Sequence, residues 1–215
     1  MSHHSRRKVL ASGLAAGLTA AVSLTVAACD STSDAEPSPG PTAPDGYTLT
    51  EVPGFSFSLA VPAGWTTLTH DDLDDDELVK TVAGALNQDP GSLRESVETF
   101  HLISVDADAT DFAENLVVSQ YELEDGLPPE EELAEVTEGH QVDYSDYAQR
   151  TTGSGGQAAL YTAGGARSSG GSFNIAFLAV RGDAGTAAGT VTFVLIEAAS
   201  ADRARELADV VIASV

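Results

Sequence analysis

Phe55-Ser56-Phe57-Ser58-Leu59-Ala60-Val61-Pro62-Ala63-Gly64-Trp65 is the stretch from which the fold can be read. Phe55, Phe57, Leu59 and Val61 alternate with the small residues Ser56, Ser58 and Ala60, so an extended chain here has one apolar face. Pro62-Ala63-Gly64 turns the chain and residues 65–68 resume it. A strand buried on one face requires partner strands and a cover, which the downstream sequence must supply.

Asp74 is placed to cap a helix with Glu77 as its capping-box partner. Leu78, Val79, Val82, Ala83 and Leu86 share one helical face, and residues 87–91 end it. Residues 100–105 and 116–121 read as strands. Pro128-Pro129 opens a short acidic helix with Leu133 and Val136 inward. Residues 144–152 and 157–162 read as strands around a Gly-rich turn. Residues 173–180 and 191–196 are the strongest strands, an antiparallel pair across a mobile loop at 182–189. Ser200 caps a last helix in which Ala204, Leu207, Ala208, Val211, Ile212 and Val215 form one apolar stripe. Strands interrupted by three helices, with a hairpin near the end, predict an α+β domain: an antiparallel sheet covered by helices.

The order of these motifs resembles a known family. Phe57 to Trp65 looks like the strand and V-P-x-G-W opening of PsbP-like domains, and more narrowly of the actinobacterial LpqN/LpqT-type lipoproteins. Asn115-Leu116-Val117-Val118 resembles the family's Asn-led strand, Gly156-Gln157-Ala158-Ala159-Leu160-Tyr161 its turn and strand, and residues 191–215 its closing strand and helix. Where the family commonly has Gly-x-Pro-Ala, this chain has Gly156-Gln157-Ala158-Ala159, and its 163–172 segment is unusually rich in Gly and Ser. The resemblance covers most of residues 47–215. It implies an αβα sandwich without catalytic residues, used for binding or assembly in a cell envelope, near glycolipid traffic.

Location is written in the N-terminal stretch. Arg6, Arg7 and Lys8 are followed by an uncharged run from Val9 to Ala28, which closes on Cys29, the only cysteine. That run is too short and too rich in Gly, Ala, Ser and Thr for a permanent span, and it reads as a signal peptide over residues 1–28. Val26-Ala27-Ala28-Cys29 resembles the lipobox of bacterial lipoproteins, with cleavage between Ala28 and Cys29 and acyl chains (palmitate-type) on Cys29. A chance cysteine is the poorer reading, because no second cysteine exists to pair with it after export. Ser5-Arg6-Arg7-Lys8-Val9-Leu10 also resembles the twin-arginine export motif. Residues 29–45, with four prolines and no large apolar side chain, read as a lipidated cysteine and disordered tether reaching up to ~50 Å if polyproline-like. Residues 46–215 are the folded domain. The expected location is the outer face of the cytoplasmic membrane.

Without residues 1–28 the chain has seven basic against 33 acidic side chains, a net charge of −26. Such a charge repels nucleic-acid phosphates and anionic lipid surfaces, so a nucleic-acid partner is excluded and attachment is left to the lipid on Cys29. An envelope protein or a glycolipid is the expected partner.

No motif carries chemistry. Asp71, Asp72, Asp74, Asp75, Asp76 and Glu77 lack the Gly turn of a calcium loop and sit where a helix N-terminus favours acids. Asp106, Asp108 and Asp111 lack a distal bidentate Glu. Gly153-Ser154-Gly155-Gly156-Gln157-Ala158 satisfies G-x-G-x-x-A, but polar residues precede it and a strand follows, so it reads as a hairpin turn. His70, His101 and His140 are scattered singly, and nothing in the sequence places one beside Ser168 and an Asp. The domain is therefore expected to be non-catalytic, with neither metal nor cofactor. Trp65, Tyr144, Tyr147 and Tyr161 are the candidate lining of a ligand groove, although packing on the sheet accounts for them equally well. An apolar-ligand carrier is the second reading and an unrecognised hydrolase the third.

Overall fold

A computed structural model describes residues 42–123, 126–181 and 190–215. Cys29, the tether to residue 41 and the 182–189 loop lie outside the described residues.

The strand of the opening stretch forms only from Ser58, with Phe55 and Phe57 in the turn that precedes it, and it does not run on into the main sheet. β1 (Tyr47–Glu51) and β2 (Ser58–Pro62) pair antiparallel as a separate two-stranded ribbon, with Thr50 opposite Leu59. Gly64, at φ +94°, then turns the chain into β3 (Thr66–Thr69), which belongs to a different sheet. That left-handed conformation strains any residue with a Cβ, which explains the glycine.

α1 (Asp76–Ala85) starts one residue later than expected. Asp75, not Asp74, accepts from the Glu77 and Leu78 amides, both at 3.0 Å. Asn87, at φ +52°, ends it. A helix not foreseen from the sequence follows at once: α2 (Pro90–Val97), capped by Asp89 with proline in its first turn. The residues that stop one helix thus start the next, and α2 buries Leu93 and Val97.

The remaining elements are β4 (Leu102–Val105), β5 (Asn115–Glu122), α3 (Glu130–Ala134) with a 3₁₀ turn (Glu135–Thr137), β6 (Gln141–Thr151), β7 (Gln157–Ala166), β8 (Ser172–Arg181), β9 (Thr190–Glu197) and α4 (Ala201–Ser214). Seven strands form one sheet in the order β3-β4-β5-β9-β8-β7-β6, with every neighbouring pair antiparallel. The expected β8–β9 pair is present, with Leu178 opposite Val194. The fold is mixed α/β of the α+β kind, dominated by this sheet.

Side chains of successive strand residues point to opposite faces. Leu116, Val118, Leu160, Leu178, Val194 and Ile196 share one face, where they pack with the whole α4 stripe and with Leu59 and Val61 of the ribbon. Leu207, Ala208, Val211 and Ile212 are no more than 5% exposed, so α4 seats directly on the sheet. Ser200 caps α4 as expected, accepting from the Arg203 amide at 3.2 Å. On the opposite face α1 and α2 cover β3 and β4, and α3 lies over β7 with Leu133 fully buried.

Candidate functional site

The register aligns one residue from each of the seven strands into a row across that second face: Leu68, Ile103, Val117, Leu195, Phe177, Tyr161 and Tyr147. The ends of the row are covered. Leu68 and Ile103 are buried beneath α1 and α2, and Tyr161 beside α3. The middle is not: Val117, Leu195 and Phe177 are only half-buried. One step along the strands Phe193 stacks on Phe177 at 5.2 Å, and Tyr121 meets Phe193 edge-on at 5.4 Å. Tyr121 is 56% exposed, although it lies on the sheet face that elsewhere carries helices. The result is a partly open apolar strip over β5, β9 and β8. Two inter-strand spacings make it about 10 Å wide.

Charge around the strip is one-sided. From Glu95 to Gln149 the chain carries 16 acidic residues and no lysine or arginine. This run includes β4, β5, α3 and β6 as far as Gln149, so the α3 side of the strip comes from it, while α1 and α2 on the other side carry Lys80 and the Asp76-paired Arg94. Glu130, Glu131, Glu132, Glu135 and Glu138 of the α3 segment are exposed. Of the basic side chains near the strip, Arg167 is paired with Glu197 at 2.7 Å, and Arg181 stands at the end of β8 near Gly126.

The four aromatic residues expected to line a groove are divided by the sheet. Tyr147 and Tyr161 are direct cross-strand partners on the strip face, where the Tyr147 hydroxyl donates to the Pro128 carbonyl at 3.1 Å. Trp65 packs on the other face, against the α4 cluster. Tyr144 lies on that face too, over Gly164, where a Cβ would collide with its ring. Its hydroxyl donates to Asn174 Oδ1 at 3.0 Å. Burial raises the Tyr144 pKa, Arg205 works in the opposite direction, and Asp202 adds to the rise. These four side chains form no single groove.

Three of the acids at the start of α1 have structural partners. Asp72 accepts from the Thr69 amide and hydroxyl, Asp75 caps α1, and Asp76 pairs with Arg94. Among the described residues no three His, Cys, Asp or Glu side chains are grouped as metal ligands. Residues 153–156 form the β6–β7 turn, with the Gly156 amide donating to the Thr152 hydroxyl and the Gly153 amide to the Ile212 carbonyl.

The fold does bring His140 to Ser168, but through the backbone: the Ser168 amide donates to His140 Nδ1 at 3.4 Å. That occupies the lone pair, and the ring leans on Phe173. His101 sits edge-on to Phe55 at 4.8 Å, where burial lowers its pKa. A polar depression at the β6–β7 end is lined by Leu127, Gln149, Arg150, Thr151, Gln157 and Ala158, without a grouped nucleophile and base.

No family model matches the chain, and no curated protein matches it. The strip has a faint signature in the sequence. In 116–118, 175–180 and 191–196 both strand faces are apolar, which calls for a cover on each side of the sheet. Only the register shows that one of those covers is incomplete.

Proposed function

We propose that residues 46–215 are a non-catalytic binding domain of PsbP-like type, resembling the LpqN/LpqT-type lipoproteins. It is held at the outer face of the cytoplasmic membrane by acyl chains on Cys29 and engages an envelope protein or glycolipid. The observation that carries the binding role is the partly open apolar strip of Val117, Tyr121, Phe177, Phe193 and Leu195. Soluble domains rarely leave contiguous apolar surface uncovered unless something else covers it. A net charge of −26 on the mature chain favours the lipid as the attachment, because the domain itself is repelled by anionic membranes.

Two experiments test the two halves of this reading. Changing Cys29→Ser should move the protein from the membrane fraction to the medium, and unchanged retention would refute the anchor. Cross-linking of the full chain in intact cells, followed by capture, should recover a defined envelope component with the parent and much less with Tyr121→Ser. Equal recovery by both, or none above a Cys29→Ser control, counts against the strip.

An apolar-ligand carrier is the second reading, supported by the same strip. A reproducible lipid adduct in native mass spectrometry of the purified full chain would favour it. An unrecognised hydrolase gains nothing from His140, whose Nδ1 is taken by a backbone amide.

A further inference from the structure

Resting on that binding reading, we infer that the strip seats one cationic amphipathic helix of a partner protein. Three features of the strip select this occupant. The first is the backbone. β5, β9 and β8 are each paired on both sides, so the strip is the face of a sheet and not an edge. An extended segment laid there would find no ladder to join, and its amides and carbonyls would be desolvated without partners. A helix satisfies its own backbone and presents only side chains.

The second is size. α1 and α2 occupy β3 and β4, and α3 occupies β7, which leaves a channel about 10 Å across, the diameter of one helix. From Val117 to Tyr121 the strip runs ~13 Å along the strands, which two to three helical turns would cover. An occupant would complete the helical layer with apolar residues at i, i+3, i+4 and i+7.

The third is charge. The α3 side of the strip belongs to the 55 residues without a cation, and the five exposed glutamates of the α3 segment stand along it. Lysine or arginine beside the apolar stripe of the incoming helix meets those carboxylates. A second copy of this chain brings the same negative charge and is repelled, as is an anionic lipid surface.

The test uses the full chain carrying Cys29→Ser, and fluorescein-labelled 14-residue peptides read by anisotropy at physiological salt. One peptide places Leu on a single helical face and Lys elsewhere. A second has the same composition with Leu dispersed, and a third replaces Lys by Glu. The expected result is saturable binding of the first peptide at least tenfold tighter than either other. It should weaken at least threefold with Tyr121→Ser and tenfold with Leu195→Lys, and be unaffected by Val142→Ser on the exposed edge strand. Tyr121 is mostly exposed, so its variant keeps the test valid if Leu195→Lys fails to fold.

Equal binding of the dispersed peptide, or indifference to both strip substitutions, overturns the inference. Preferential binding of the Glu peptide or of neutral phosphatidylcholine vesicles, lost in Leu195→Lys, also overturns it while leaving the strip as a binding face. Concentration-dependent self-association abolished by Leu195→Lys overturns it in favour of a second copy.

Discussion

The ribbon carried by the opening stretch is fastened to α4 by one buried hydroxyl, and removing that hydroxyl is a sharp test of the packing described above. Ser214 Oγ accepts from the Ala60 amide at 2.9 Å and donates to the Val211 carbonyl at 2.8 Å. Ala60 is 1% exposed and Ser214 8%, so water does not replace the lost oxygen. Val211 lies in the last turn of α4, where carbonyls lack helical partners. Ser214→Ala leaves the Ala60 N–H buried and unpaired, at a cost of about 1–3 kcal/mol. For a domain of this size that lowers Tm by about 2–12 °C.

Denaturant unfolding of the Cys29→Ser chain gives the free energy, and hydrogen exchange gives the location. The Ala60 amide should exchange faster, while amides in β7–β8, away from the ribbon, follow only the global loss. Ser214→Thr keeps the hydroxyl and should recover most of the stability. As an internal comparison, Ser200→Ala removes the cap at the other end of α4 and should cost about 1 kcal/mol without singling out Ala60. A Ser214→Ala protein within ~0.3 kcal/mol of its parent, with Ala60 still protected, would refute the reasoning, because an orphaned buried donor cannot be neutral.

Gly165→Ala drives a Cβ into the Gln141 carbonyl beside the β6 irregularity at Val142 and Tyr144, and should destabilise by about 1–3 kcal/mol in denaturant titration. Arg203 bridges Glu114 at 3.0 Å and Glu206 at 2.9 Å and reaches the Tyr47 hydroxyl at 3.4 Å. Burial opposes its charge, but these hydrogen bonds overcome that and raise its pKa. Arg203→Met strands the largely buried Glu114 carboxylate and should cost about 1–2 kcal/mol, less in high salt, whereas Arg205→Met should be near neutral. Burial holds the His101 pKa below 6.5, so the unfolded chain takes up the proton more readily. The contribution of neutral His101 is complete above pH 6.5 and is lost as pH falls through the folded value. Unfolding at pH 7.5 and pH 5 should show a smaller acid-side loss in His101→Gln than in the parent.

Some of this molecule was legible residue by residue. The second half of the alternation from Phe55 to Val61 marks β2, the Ser200 cap and the Ala204 to Ile212 stripe mark α4, and the runs at 173–180 and 191–196 mark the β8–β9 pair. Each is a local pattern with a local cause: period two for a strand, period 3.6 for a helix, a hydroxyl over free amides for a cap. Asp75 displaced Asp74 as the cap because neighbouring acids are equivalent in sequence and only one reaches the Glu77 and Leu78 amides. α2 escaped notice because Asp89-Pro90 reads equally well as a stop and as a start.

Cross-strand arrangement had no such local cause. Aromatics on separate strands say nothing about which of them will meet once registers are set. Pairing put Tyr147 against Tyr161, while Tyr144, three residues earlier in the same regular register, falls on the other face over Gly164. The strip depends on longer-range geometry still: β5 had to pair with β9, with Val117 opposite Leu195 78 positions further on, before Val117, Leu195 and Phe177 could stand in one row.

By itself, then, the sequence determined where charge and hydrophobicity lie along the chain. That was enough for the class of fold, the acidic α3 segment and the reading of Cys29 as an anchor. Which apolar side chains remain uncovered was decided only in three dimensions. An apolar residue on a strand is buried or left open according to what the rest of the chain lays over it, and that follows from strand order and register, which no local pattern encodes.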